Sequence, residues 1–140
     1  MKMLRYLGAC LAGLLAGGIV VGLVEGVSSR LHPMPPGLDP KDGDAFREWV
    51  ATLPASAFLM LLVAWGAGCF TGAALARRLA PERSAIPAAI VCALQTAATV
   101  FNLVWLPHPG WMWPAGILAC LAGGCLGMLL TAPPKSGQER

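Results

Sequence analysis

Charged side chains are scarce in this sequence. Only 12% of its 140 residues are Asp, Glu, Lys or Arg, whereas 56% are apolar, and the mean hydropathy is +0.66. A soluble domain of this length must cover its surface with charge, so this balance indicates that lipid is the main solvent. No cluster of basic residues is interleaved with aromatic ones, which argues against a nucleic-acid partner.

The patterns typical of enzymes and metal sites are missing as well. The serines have no Ser-His-Asp context, so nucleophilic catalysis has no support and we expect no enzymatic activity. The two histidines, His32 and His108, lie in proline turns and not at HxxH or HxxxH spacing. A zinc site built from them and Glu25 is therefore disfavoured, and we expect neither a metal nor a cofactor.

None of the five cysteines lies in a polar loop, and no two of them form a CxxC pair. All five fall within apolar runs, at Cys10, Cys69, Cys92, Cys120 and Cys125. This distribution argues against a disulfide framework. It predicts small packing residues with buried, inert thiols.

Four apolar runs are long enough to cross a bilayer as helices. They predict a single-domain, all-α membrane protein, a bundle of four transmembrane helices. The first run begins like a secretory signal, but it continues past a normal signal core and is better interpreted as an uncleaved span. The predicted spans are residues 4–28, 54–76, 87–106 and 113–130, separated by an outer loop 29–53 and a cytoplasmic loop 77–86, and followed by a tail 131–140.

The outer loop contains one candidate helix. Asp42 or Asp44 can cap its start, and the apolar residues that follow recur at i, i+3, i+4 and i+7: Phe46, Trp49, Val50 and Leu53. This pattern favours a short interfacial helix lying on the outer bilayer surface. A solvated helix that merely leads into the next span fits the pattern equally well.

Basic residues set the predicted orientation. Four spans place the basic residues of the N-terminus, the second loop and the tail on one side, and the positive-inside rule makes that side cytoplasmic. Both termini are therefore predicted in the cytoplasm. Tryptophans gather at the opposite boundary, as in an aromatic belt: Trp49, Trp105, Trp111 and Trp113.

Glycines recur four residues apart within the spans. This spacing lets two membrane helices approach closely, because a glycine face has no side chain to hold the backbones apart. The predicted packing glycines are Gly18, Gly22 and Gly26 in the first span, Gly68 and Gly72 in the second, and Gly123 and Gly127 in the fourth.

Glu25 is the one formally charged residue well inside an apolar run, where a carboxylate is costly and usually paired or facing a cavity. It is expected at the same depth as Asn102, and Gln95 and Thr99 continue the polar face of the third span. We favour a structural clamp in which the Asn102 amide donates a hydrogen bond to Glu25. A proton- or cation-responsive site and a carboxylate that reaches the outer interface by itself remain open.

Three segments resemble a family of short four-span bacterial inner-membrane proteins without assigned function. They read VEG…HPMPPGLDP, LPASAFLMLLVAWGAGCFTGA and FNLVWLPHPGWMWPAG, and the likeness extends from Val24 to Gly127. The resemblance implies the four-span fold and the bacterial inner membrane, and it brings no activity or cofactor.

The function predicted from these features is non-enzymatic. We expect a multi-pass protein that acts through helix packing, as a homo-oligomer or as an accessory subunit of a membrane complex, with membrane lipid as its surroundings. The competing prediction is a small transporter or channel with an ionisable site at Glu25 and Asn102.

Overall fold

The computed structural model describes residues 1–134, and within that range the chain is all-helical, without a strand. Four helices are long and apolar enough to cross a membrane. This confirms the predicted all-α bundle and fits a multi-pass membrane protein. The elements are α1 (Lys2–Leu31), α2 (Gly43–Ala51), α3 (Ala55–Leu79), a 3-10 turn (Pro81–Arg83), α4 (Ala85–Trp105) and α5 (Met112–Leu130).

Two helices continue three residues further than the predicted spans. α1 ends at Leu31 and not at residue 28, and α3 ends at Leu79 and not at residue 76, so parts of both predicted loops are helical. α1 stops where it does because His32 precedes Pro33, and a proline disfavours the α conformation of the residue before it. Pro54 is the N-cap of α3, directly before its first turn.

α3 is the central helix of the bundle. It contacts α1, α4 and α5, whereas α1 and α5 do not contact each other. α1 meets α3 through paired glycines: a Cβ added to Gly13 would lie 2.6 Å from the Gly72 carbonyl oxygen, and one added to Gly17 would lie 2.7 Å from that of Gly68. On the other side of α3, the predicted packing glycines of α5 also lie against backbone, Gly123 against Gly66 and Gly127 against Phe70.

The predicted glycine ladder of the first span does not form this contact. A Cβ added to Gly18, Gly22 or Gly26 would meet no atom within 4 Å, so these residues are not packed against another helix of the described chain. The residues of α1 that are buried are Ala9, Gly13 and Gly17, which have the same four-residue spacing on a different face. The prediction of tight packing through Gly18, Gly22 and Gly26 is therefore not met within the chain.

Three cysteines belong to the interior of the bundle, as predicted, and two do not. Cys69, Cys92 and Cys120 are buried where α3, α4 and α5 meet, and the Thr99 hydroxyl lies 3.2 Å from the Cys120 sulfur. Cys10 is partly exposed and Cys125 is exposed. The prediction of five buried thiols is wrong for these two, because apolar residues of a membrane helix can face lipid as well as protein.

α2 packs on one end of the bundle, which we call the outer end after its predicted orientation. Asp42 caps it by accepting a hydrogen bond from the Ala45 amide at 3.3 Å. Val50 is 5% exposed and belongs to the same buried cluster as Trp65 and Leu103. Arg47 lies off the apolar face that the sequence predicts for this helix. Its Nε atom donates a hydrogen bond of 2.9 Å to the carbonyl oxygen of Trp105, at the end of α4. The apolar face of α2 therefore packs on the end of the bundle, as a short helix between the first two spans.

The two ends of the bundle differ in charge. At one end, Lys2 lies 3.8 Å from Glu82, and Arg77 donates from Nη1 to the Met128 carbonyl oxygen at 2.7 Å. The first contact joins the start of α1 to the 3-10 turn, and the second joins the end of α3 to the end of α5. The predicted belt tryptophans lie at the opposite end with α2, and three of them are exposed: Trp105, Trp111 and Trp113.

Candidate functional site

Glu25 lies where two cavities meet. Six residues separate it from Leu31, so it is about 9 Å from the outer end of α1. Asn102 on α4 lines both cavities as well. We call the first one, of about 250 Å³, the outer cavity, and the second, of about 350 Å³, the membrane groove. The two residues that the sequence placed at one depth thus border the same space.

Several of the residues that line the outer cavity are aromatic, and α2 forms part of its wall. The His32 Nε2 atom lies 3.0 Å from the Ser56 hydroxyl oxygen, and this contact joins the end of α1 to the start of α3. The His108 ring packs edge-on against Phe58, with the ring centroids 5.7 Å apart, and its Nδ1 lies 2.9 Å from the Leu106 carbonyl oxygen. The lining contributed by α2 and the residues just after it is Phe46, Trp49, Val50 and Leu53.

The membrane groove runs between α1 and α4, with α3 as its floor. The two helices touch in their inner halves, where the Cys10 thiol lies 3.9 Å from the Pro87 carbonyl oxygen and the Gln95 amide lies against Gly17. Beyond that level the groove opens between them. Its α1 wall is Leu14, Gly18, Val21, Gly22 and Glu25, its floor is Trp65 and Cys69, and its α4 wall is Gln95, Ala98, Thr99 and Asn102.

The predicted clamp between Glu25 and Asn102 is absent. Within residues 1–134, no hydrogen bond joins the two side chains, and the Asn102 Oδ1 atom has no partner. The hypothesis that the Asn102 amide holds Glu25 is therefore wrong for this conformation, because the helices have already diverged at this level. A working ionisable site and a carboxylate that reaches the outer interface alone both remain compatible with the geometry.

Two residues that line the groove each have a buried side-chain oxygen without a hydrogen-bond partner in residues 1–134. The two oxygens are Oε1 of Gln95 and Oδ1 of Asn102. The Gln95 amide is held between α1 and α3, since a Cβ at Gly72 would come within 2.8 Å of its Oε1 and one at Gly17 would overlap its nitrogen. An unpaired buried amide oxygen costs free energy, about 1–3 kcal/mol, so such groups are usually satisfied by water, an ion or a ligand.

Thr99 has a different role from its polar neighbours. It is 4% exposed, and its hydroxyl is engaged with the Cys120 sulfur at 3.2 Å on the α5 side. Although Thr99 lines the groove, its hydroxyl already has a partner on α5. The free polar groups of the groove are therefore Glu25, Asn102 and Gln95.

The geometry provides no metal centre within the described residues. Glu25, His32 and His108 all line the outer cavity, but no three His, Cys, Asp or Glu side chains in residues 1–134 are placed to hold a metal ion. Both histidines are also engaged locally, His32 with Ser28 and Ser56, and His108 with Leu106.

Sequence reasoning missed the apolar half of the site. Leu14, Gly18, Val21 and Glu25 lie at i, i+4, i+7 and i+11, so they share one face of α1, and this spacing was readable in the sequence. Trp65 and the α2 residues were not predictable in the same way. They reach the site because α3 and α2 pack there, which no local pattern encodes.

Comparison of the chain with protein-family models, with curated proteins and with solved structures gave no match.

Proposed function

We propose that this protein is a non-enzymatic, multi-pass protein of the bacterial inner membrane, with both termini in the cytoplasm, which works as a small transporter or channel. Its working group is Glu25, which exchanges a proton or a small cation with the outer side. The inner-membrane location rests on the resemblance of the three segments quoted above.

One observation supports this proposal over a purely structural role. Glu25 borders two cavities together with buried oxygens of Gln95 and Asn102 that have no partner in the described chain. A set of polar groups that served only to join helices would be paired with each other. Glu25 is the single carboxylate among the residues that line the two cavities, and neither cavity is lined by a lysine or an arginine, which suits a proton or a cation.

Glu25→Gln tests this function. Gln keeps the size of the side chain but cannot exchange a proton or carry a charge. We expect wild-type protein in liposomes to dissipate an imposed pH gradient faster than empty liposomes, and Glu25→Gln to dissipate it at the rate of empty ones. Proton flux is read from a pH-sensitive dye trapped inside.

Glu48→Gln is the matched control, because Glu48 is exposed on α2 and lines neither cavity. It should conduct like wild type, and all three proteins should have the same Tm in detergent. A wild-type rate no faster than that of empty liposomes, or full flux through a folded Glu25→Gln protein, contradicts the proposal.

A second candidate function is association through α1. Gly18, Gly22 and Gly26 are not packed against another helix of the described chain, and glycines at this spacing commonly pack against another membrane helix. The partner would be a second copy of the chain or a larger membrane complex.

Gly26→Leu tests the association candidate separately, because Gly26 lines neither cavity and a Cβ there meets nothing. If α1 associates through this face, wild-type protein should have the mass of an oligomer or complex in mild detergent, and Gly26→Leu the mass of a monomer. A monomeric wild type would reject this candidate and would leave the flux experiment unaffected.

A further inference from the structure

We propose that the outer cavity binds a small quaternary ammonium ion, held between the Glu25 carboxylate and the aromatic side chains of α2. The ligand is a permanent cation with apolar substituents, and it comes from the outer side. This inference names the cation for the site around Glu25, and so it rests on the proposed function.

The outer cavity lies at the predicted outer boundary of the membrane. Ser29, His32 and Leu53, which line it, belong to the segment that the sequence predicts as the outer loop, and His108 follows the third span. Glu25 is the lining residue that lies within the apolar run of α1. A permanently charged ion can therefore reach the cavity from the outer aqueous phase without crossing lipid.

The charge of the lining favours a cation. Glu25 is the single carboxylate among the lining residues, and no lysine or arginine lines the cavity. At His32 and His108, Nδ1 faces a backbone carbonyl oxygen, at 3.2 Å and 2.9 Å. Because a carbonyl oxygen only accepts, both Nδ1 atoms carry a proton, and a neutral imidazole satisfies each contact. The carboxylate therefore has no basic partner in the cavity, and a positively charged ligand supplies one.

Aromatic side chains supply the second part of the recognition. Phe46 and Trp49 of α2 line the cavity with their ring centroids 5.5 Å apart, and both are partly exposed, so part of each side chain stays accessible. Phe58 of α3 lines the cavity as well. The face of an aromatic ring attracts a cation, most strongly in tryptophan, and aromatic side chains are the usual partners of quaternary ammonium ligands.

The lining does not suit a metal ion. A metal ion exchanges its hydration shell for several oxygen or nitrogen ligands, and no three His, Cys, Asp or Glu side chains in residues 1–134 are placed to hold one. Most of the lining is apolar, and it includes Val50, Leu53 and Leu61. A quaternary ammonium ion carries its charge within an apolar shell and has no N–H group to satisfy, so it fits such a lining.

The volume of the cavity limits the size of the ligand. The outer cavity measures about 250 Å³. A cavity of about 150 Å³ admits benzene, and sites for drug-sized ligands measure about 300–1,000 Å³. Tetraethylammonium, which is larger than benzene and smaller than most drugs, is therefore a suitable probe, whereas tetrabutylammonium is too large.

Equilibrium binding of radiolabelled tetraethylammonium to the purified protein in detergent tests the inference. We expect saturable binding that unlabelled tetraethylammonium displaces and that potassium and tetrabutylammonium do not. Choline and 3,3-dimethyl-1-butanol form a matched pair of competitors, since they share one shape and differ in having a quaternary nitrogen or a quaternary carbon. Choline should compete about tenfold more strongly than the neutral alcohol, because only choline gains from the carboxylate and the rings.

Two substitutions separate the charge from the aromatic contact. Glu25→Gln removes the negative charge and should weaken tetraethylammonium binding about tenfold. Trp49→Leu keeps an apolar side chain in the lining but removes the ring, and should weaken binding about fivefold. Trp111→Leu is the matched control, because Trp111 is exposed and lines neither cavity; it should bind like wild type. The Tm of each variant in detergent shows whether it is folded.

The outcomes separate this inference from the function on which it rests. Absence of saturable binding to wild type, or equal competition by choline and its neutral counterpart, overturns the ligand class and leaves the proton-flux experiment to decide the function. Wild-type affinity in a folded Glu25→Gln or Trp49→Leu protein overturns the inference as well, because the cation is then held elsewhere. Binding that depends on both residues, in a protein without proton flux, supports the ligand class and refutes the transport function.

Discussion

Gly17→Leu is expected to destroy or severely destabilise the folded bundle. A Cβ at this position would overlap the Gln95 amide nitrogen and lie 2.7 Å from the Gly68 carbonyl oxygen, so a leucine has no space. Neither α3 backbone nor the enclosed Gln95 can move aside without separating α1 from α3. Overpacking of this kind costs about 3 kcal/mol, which corresponds to a Tm lower by about 10 °C for a chain of this size.

The adjacent glycine provides the control. A Cβ at Gly18 would meet nothing within 4 Å, so Gly18→Leu should keep the wild-type Tm. The measurement is the fraction of monodisperse protein that remains in detergent after heating, for wild type and both variants. Equal tolerance of leucine at the two positions would mean that α1 does not pack on α3 through Gly13 and Gly17.

Reporter fusions at the two ends of the bundle should give opposite localisations. We expect a fusion after Gln138 to lie in the cytoplasm and an insertion within residues 41–44 to lie outside. The basic end of the described bundle has five basic residues and one acidic residue: Lys2, Arg5, Arg77, Arg78 and Arg83, with Glu82. The end that carries α2 has three basic and four acidic residues: Arg30, Lys41 and Arg47, with Asp39, Asp42, Asp44 and Glu48. Positive charge near the ends of spans favours the cytoplasmic side.

A phosphatase reporter that is active only outside and a fluorescent protein that matures only in the cytoplasm can be placed at each position in turn. Each site should then support one reporter and not the other. Activity of the same reporter at both sites would contradict the four-span topology, whereas complementary but reversed results would contradict only the orientation. Residues 135–140 lie outside the part of the chain that the structure describes. The fusion after Gln138 reports on which side of the membrane they lie.

The candidate site was partly readable from the sequence. A single carboxylate in an apolar run drew attention to Glu25, and helical periodicity placed Gln95, Thr99 and Asn102 on one face of α4. Depth along the membrane follows from counting residues from the end of each helix. The lateral gap between Glu25 and Asn102 does not follow from such a count, because it depends on the angle at which α1 and α4 separate.

That separation changes the interpretation of the site. The sequence predicted a hydrogen bond between Glu25 and Asn102, which would have made both residues structural. In the structure α1 and α4 are in contact near Gly17 and Gln95 and part toward the outer end, so the carboxylate and the amide face open space. A ligand site is proposed here only because this gap exists.

The number and approximate positions of the spans were determined by the sequence alone, as was the short helix α2. Hydropathy and the 3.6-residue period are properties of a segment and its solvent, so they can be read without knowing the neighbours. The position of α2 was decided only by tertiary structure. Val50 could face lipid or protein, and it became buried because the outer end of the bundle offers an apolar surface beside Trp65 and Leu103.

Tertiary structure alone also decided which glycines of α1 join the bundle. Ala9, Gly13 and Gly17 form one ladder and Gly18, Gly22 and Gly26 another, and their spacing is identical. α1 and α3 run in opposite directions, and α3 has Gly68, Gly72 and Ala76 where the first ladder crosses it. Two backbones approach closely only where both helices lack bulky side chains at the same level. The choice between the ladders therefore depends on how two helices match, and neither helix encodes it by itself.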